Sequence, residues 1–160
     1  MKEILVQDSA SGIAICRVSV DAILDLRHRL LRAGMPAEAA RFPGDDDSGT
    51  WHFGLFCLES PDENAPVVSC ASFMLNSYKD EPAWQLRGMA TDNSHQGRGF
   101  GGKLLACAEK AILQDSGVRL FWCNARVPAI PFYERQLWIA DSEVFDIPTA
   151  GPHRRMFKRL

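Results

Sequence analysis

The chain has 160 residues, 46% of them apolar and 24% charged, with 18 basic against 20 acidic side chains and a formal net charge of −2. These are the proportions of an ordinary folded domain, and they argue against intrinsic disorder, a dedicated nucleic-acid surface or a polybasic membrane binder. No stretch reaches the roughly 18 to 20 consecutive apolar residues that cross a bilayer, and the opening MKEILVQDSASG breaks its apolar run early. The expectation is one domain over residues 1–160, soluble and cytoplasmic, with no signal peptide and no nucleic-acid or membrane partner.

In chain order, IAICRVSV (13–20) reads as a strand, and Asp21 as the N-cap of a helix AILDLRHRLLR. Ile23, Leu26, Leu30 and Leu31 mark its buried face, Arg27, His28, Arg29 and Arg32 a solvated basic one, and Gly34 and Pro36 stop it. Residues 34–50 hold two prolines, three glycines and three successive aspartates, the makings of a long surface loop with a helical turn. WHFGLFCLE, the turn SPDENAP and VVSCASFMLN then predict an antiparallel hairpin, and SYKDEP another turn.

AWQLRGMA (83–90) is a further strand whose internal Gly88 marks a bulge or a close approach to the backbone. After TDNSH and a glycine cluster, Leu104, Leu105, Ala108, Ala111 and Ile112 trace an amphipathic helix that ends near Ser116 and Gly117. VRLFWCNA follows as a buried strand, so strand, helix and strand predict a parallel crossover. A short helix from Pro131, the segment SEVFDI and a last strand HRRMFKRL complete the chain. The basic residues Arg154, Arg155, Lys158 and Arg159 alternate with apolar ones on that half-exposed strand, and Trp51, Trp84, Trp122 and Trp138 are expected in the core.

Five widely spaced cysteines, Cys16, Cys57, Cys70, Cys107 and Cys123, contain no CxxC and sit in apolar segments, as buried free thiols do. The four histidines, His28, His52, His95 and His153, lie at least 24 residues apart, so no metal site is expected.

Chemistry concentrates in HQGRGFGGK (95–103), where glycines at a helix start let backbone N–H groups approach an anion. Gly97, Gly99 and Gly102 satisfy GxGxxG, yet a loop separates them from the strand and no acidic ribose ligand ends the next strand. Gly97 to Lys103 satisfies GxxxxGK, but Leu104 replaces the Ser or Thr that would hold magnesium. Gln96, Gly99 and Gly101 satisfy QxxGxG between a bulged strand and an amphipathic helix.

This last pattern resembles the coenzyme A signature of the GNAT N-acetyltransferases. Asn124 followed by PFYERQLW resembles the family's second signature, an Asn at a strand end and an aromatic pair opening a helix. The likeness runs through residues 84–138, and LDLRHRLLR, the GDDD loop, SEVF and GPHRRM resemble in order the ElaA-like branch.

The resemblance implies an α/β (α+β) fold: a central mixed, mostly antiparallel sheet flanked by helices, with a parallel pair, 84–90 and 118–124, splayed into a V. It implies acetyl-CoA as cosubstrate, with the pyrophosphate on Gln96, Gly97, Arg98, Gly99, Phe100, Gly101 and Gly102. The backbone of Met89, Ala90 and Thr91 would pair with the pantetheine amides, and Asn124 would meet the arm from the other side. Tyr133, also at the cofactor, would be the general acid that protonates the coenzyme A thiolate. The implied reaction is direct attack by a primary amine of a small molecule or peptide in a ternary complex, without a metal.

Two positions depart from the family pattern: Leu137 stands where a glycine is common, so a differently shaped turn is expected, and Gln85 where some members carry a glutamate base. His52, His153 and Glu81 are the candidates for a base or relay. Arg27, His28 and Gln85 are candidates for the acceptor pocket, with Arg27 or Arg29 favouring a substrate carboxylate. Cys107 and Cys123 are not expected to be nucleophiles. A noncatalytic acyl-CoA sensor is the alternative, and the oligomeric state, monomer or homodimer, is left open.

Overall fold

The apolar run predicted near residue 51 is buried on both faces because it lies in the middle of a nine-stranded sheet. The computed structural model describes residues 2–58 and 65–160; residues 60–64 of the expected hairpin turn lie outside the described residues. The strands are β1 Lys2–Asp8, β2 Ile13–Val18, β3 Thr50–Cys57, β4 Ser69–Leu75, β5 Trp84–Thr91, β6 Leu120–Arg126, β7 Ile139–Ala140, β8 Phe145–Ile147 and β9 Gly151–Arg159. The helices are α1 Leu24–Leu31, α2 Phe100–Asp115 and α3 Ile130–Arg135. The strand order is β1-β2-β3-β4-β5-β6-β9-β7, with β8 also on β9. Every pairing is antiparallel except β5 with β6, the crossover made by α2.

Alternation along β3 and β4 sends their side chains into two separate buried clusters, one on each face of the sheet. Phe53, Leu55, Ala71 and Phe73 join Leu104, Leu105, Ala108 and Ile112 of α2 on one face, while Phe56 and Cys70 join Ile23 and Leu26 on the other. Trp84 and Trp138 are buried as expected, whereas Trp51 and Trp122 are only half-buried. Among the cysteines, Cys16, Cys70 and Cys123 are buried, but Cys57 and Cys107 are partly exposed.

Three sequence expectations need correction. The short ILV run is part of β1, an edge strand stabilised by pairing with β2 rather than by its own burial. Asp21 is not an N-cap, because a 3-10 turn over Val20–Ile23 precedes α1 and takes Asp21 into its first turn. Arg27 does not belong to a solvated face: it is fully buried.

Candidate active site

The parallel pairing of β5 and β6 lasts for two residue pairs, Trp84 with Phe121 and Gln85 with Trp122. β6 then continues along β9 as far as Arg126 opposite His153, while β5 continues along β4 to Thr91 opposite Ser69. The two strands therefore diverge, and the backbone of β5 beyond Gln85 faces an open wedge with no ladder partner among the described residues.

Below the open end of β5 lies a groove of about 870 Å³, lined by Met89, Ala90, Thr91, the glycine loop, the first turn of α2 and Phe132, Tyr133 and Gln136. The loop is fixed from within, since Gln96 Nε2 donates to the Thr91 carbonyl and to Asn93 Oδ1, both at 3.1 Å. Asp92 accepts from Ser94, His95 and Arg29, and these hydrogen bonds hold its carboxyl well below the usual range. Gly99 is the N-cap of α2 at φ 76, a left-handed conformation in which a side chain would be strained. The first amides of α2 have no intrahelical acceptor and open on the groove with Lys103, and no carboxylate lines it among the described residues. Arg98 is not a lining residue; its guanidinium stacks over Phe100 at 4.7 Å.

Across the wedge is a second cavity of about 320 Å³, lined among others by Gln85, Arg87, Cys123, Asn124, Arg126 and His153. Leu31, Met89, Ala129 and Tyr133 line both spaces. Tyr133 is buried at 8% exposure, and its hydroxyl lies 3.8 Å from Met89 Sδ. Burial pushes that phenol well above its ordinary range, so it carries its proton at neutral pH. Asn124 Oδ1 is buried without a hydrogen-bond partner among the described residues, an acceptor left open for an outside donor. Burial also pushes the Cys123 thiol far upward, leaving a protonated sulfur unsuited to nucleophilic attack.

The remaining candidates separate clearly. His153 lines the second cavity; Nδ1 lies 2.7 Å from the Gly151 carbonyl, so it donates there and Nε2 is the ring's free acceptor. Gln85 lines the cavity and accepts from Asn76 Nδ2 at 2.8 Å. His52 is buried elsewhere, with Nδ1 on Ser72 Oγ and Nε2 on the Asp45 carbonyl, so neither nitrogen is available to a substrate. Glu81 is exposed and paired with Arg159. Arg27 is pinned by Asp45 and Ser72 beneath the cavity wall, Arg29 is held by Asp25 and Asp92, and His28 contacts the Met35 carbonyl outside both spaces. Arginines do reach the acceptor side, but they are Arg32, Arg87 and Arg126, on three elements whose convergence no local pattern announces.

The expectation of an altered turn at Leu137 is also corrected. Leu137 takes φ 68, the conformation a glycine would adopt. Trp138 N donates to the Tyr133 carbonyl and Leu137 N to the Glu134 carbonyl, while the Trp138 and Tyr133 rings meet at 5.6 Å. This is a Schellman closure with leucine in the left-handed position.

An acetyltransferase (GNAT) domain model matches residues 55–136. YitI of Bacillus subtilis (strain 168), an uncharacterized N-acetyltransferase, is 34% identical over 146 residues, covering 89% of this chain and 93% of YitI. The chain belongs to the GNAT acetyltransferase family. Solved structures agree on the fold: an aminoglycoside 6'-N-acetyltransferase complexed with coenzyme A superimposes with TM-score 0.67 at 13% identity, over 91% of this chain and 96% of that one. Escherichia coli ElaA gives 0.65 at 16% identity, over 99% and 97%. The likeness is thus broad across GNAT proteins and does not single out the ElaA-like branch. As a GNAT enzyme the protein moves an acetyl group to an amine acceptor, and its splayed β5 and β6 are the fold's one parallel pair.

Proposed function

We propose that the protein binds acetyl-CoA along the groove and transfers its acetyl group to a primary amine by direct attack, with both substrates bound at once. The observation that carries this is the meeting of groove and cavity at Tyr133, which lines both. The aminoglycoside acetyltransferase of like fold holds coenzyme A, and the residues of this chain suit such a ligand. The amides at the start of α2, with Gly97, Gly99, Gly101, Gly102 and Lys103, favour the pyrophosphate. The free edge of β5 at Met89, Ala90 and Thr91 offers backbone groups to an extended amide-bearing arm, and Asn124 Oδ1 an acceptor across the wedge. Acetyl-CoA supplies the activated thioester.

Tyr133 then gives its proton, or a hydrogen bond, to the departing sulfur, a role suited to a phenol that burial keeps protonated. The attacking amine must be neutral, and a lysine-like amine of pKa about 10.4 costs roughly 4.6 kcal/mol to deprotonate at pH 7. No carboxylate lines the acceptor cavity among the described residues, so His153 Nε2, directly or through water, is the acceptor for that proton, and Gln85 helps position the amine.

Isothermal titration with acetyl-CoA tests the first half: micromolar binding is expected, and its loss when Gly99 and Gly101 are made bulky. An amine screen with Tyr133→Phe as control tests the second. Binding of acetyl-CoA with no transfer to any amine would leave only a sensor and overturn the catalytic reading.

A further inference from the structure

We propose that the acceptor is an anionic amine, a primary amine carrying a carboxylate or phosphate that Arg32, Arg87 and Arg126 receive in the second cavity, an inference that rests on the acetyl-transfer reading above.

The three arginines come from the end of α1, from β5 and from the end of β6, and all line the same 320 Å³ space. None makes an ion pair with a carboxylate among the described residues. Their neighbours differ: Arg27 is neutralised by Asp45, Arg29 by Asp25 and Asp92, and Arg41 by Asp21 and Asp46. Three arginines without an ion-pair partner among the described residues thus share one cavity.

The guanidiniums are also oriented. Arg32 and Arg87 stack against the single ring of Phe42, at 4.7 and 5.4 Å from its centroid. Arg32 donates to the Leu31 carbonyl at 2.8 Å and Arg87 to the Pro43 carbonyl at 2.7 Å. A guanidinium has five N–H donors, so most of them stay free for a ligand. Burial, followed by the positive charge of Arg126 and Arg27, lowers the proton affinity of Arg32; burial does the same to Arg87, where the Asp45 charge opposes it and Arg27 and Arg32 add to it. A bound anion relieves that repulsion, while a polycation adds to it. Because Tyr133 and His153 line the same space, an anion held there leaves the rest of its molecule beside the proposed acid and base.

The test uses matched pairs: the common amino acids other than proline against their carboxamides, phosphoethanolamine against ethanolamine, and spermidine as a polycation. Each is titrated calorimetrically into the protein without acetyl-CoA, and each is assayed for acetyl transfer with it. The anionic member of at least one pair is expected to bind more tightly and to react with kcat/KM about tenfold or more higher, the value of a charge-assisted hydrogen bond. Whether the favoured pair is carboxylate or phosphate identifies the source of the charge. Arg126→Gln should shrink that preference, and because Arg126 is exposed the variant should fold, as shown by unchanged acetyl-CoA affinity. Carboxamides, ethanolamine or spermidine used as well as or better than the anionic amines would overturn the inference while leaving acetyl transfer standing. Transfer to no amine at all, with acetyl-CoA still bound, would overturn the transfer reading and this one with it.

Discussion

Arg27 of α1 lies against the backbone of Gly88 in β5: a Cβ at position 88 would stand 2.6 Å from Arg27 Nε. The bulge expected at this glycine is present, since the β4–β5 register shifts between Cys70 and Ser72. What approaches the backbone is this arginine. Gly88 also has φ 59, so alanine there meets strain and a clash together. Arg27 cannot yield, because Nη1 binds Asp45 Oδ2 and Nη2 binds Ser72 Oγ, both at 2.6 Å. Gly88→Ala should cost about 2–4 kcal/mol in urea unfolding. A loss under 1 kcal/mol would mean that the arginine moves freely.

The same network fixes the state of His52. Arg27 donates to Ser72 Oγ, leaving the serine proton for His52 Nδ1, so Nε2 carries the ring hydrogen and donates it to the Asp45 carbonyl at 2.9 Å. The imidazole is neutral, and burial lowers its pKa below the ordinary 6.5. The unfolded chain then binds a proton that the folded chain refuses, so this contribution to stability is whole above pH 6.5 and declines as pH falls below it. The slope can reach about 1.4 kcal/mol per pH unit until the folded-state pKa is passed. Unfolding free energies from pH 7.5 to 5 should show a steeper decline for the wild type than for His52→Gln, and parallel curves would refute the assignment.

Leu137 is 75% exposed and held in the left-handed region, where a non-glycine residue costs roughly 1–2 kcal/mol. Leu137→Gly should therefore raise the unfolding free energy by about 1 kcal/mol, part of the gain being offset by the freedom glycine has in the unfolded chain. A thermal melt that falls instead would show that the leucine packs usefully against something.

For Tyr133, the raised pKa predicts the shape of the rate profile. As pH rises the acceptor amine loses its proton and kcat/KM increases, while the phenol keeps its own proton. No descending limb is expected below about pH 10. Tyr133→Phe should lower kcat by roughly 10²-fold or more with acetyl-CoA affinity unchanged. A descending limb near pH 8 that this substitution removes would contradict the protonated state.

The sequence carried most of the scaffold because β3, β4, β6 and α2 write their burial into local periodicity, and the glycine loop into composition. β1 was illegible since Ile4 and Val6 remain exposed at 60% and 41%, leaving no amphipathic alternation to read. The burial of Arg27 is hidden for a related reason: helical spacing says which residues share a face, and here a loop supplies Asp45 to cover that face. The acceptor cavity was least legible. Arg32, Phe42, Arg87 and Arg126 come from four segments, and only the fold brings them together.

The two-pair contact between β5 and β6 also bears on solubility. Unpaired backbone in a sheet normally invites a strand from another molecule, with the aggregation that follows. Here the bare edge of β5 lies inside the sheet, in a cleft that narrows to the Gln85–Trp122 pair and has α2 and α3 residues along its groove. A single extended chain can enter such a cleft, whereas the edge of a foreign sheet, with neighbouring strands about 4.7–4.9 Å apart and side chains on both faces, cannot. The geometry that opens a binding surface thus also guards it against intermolecular strand pairing.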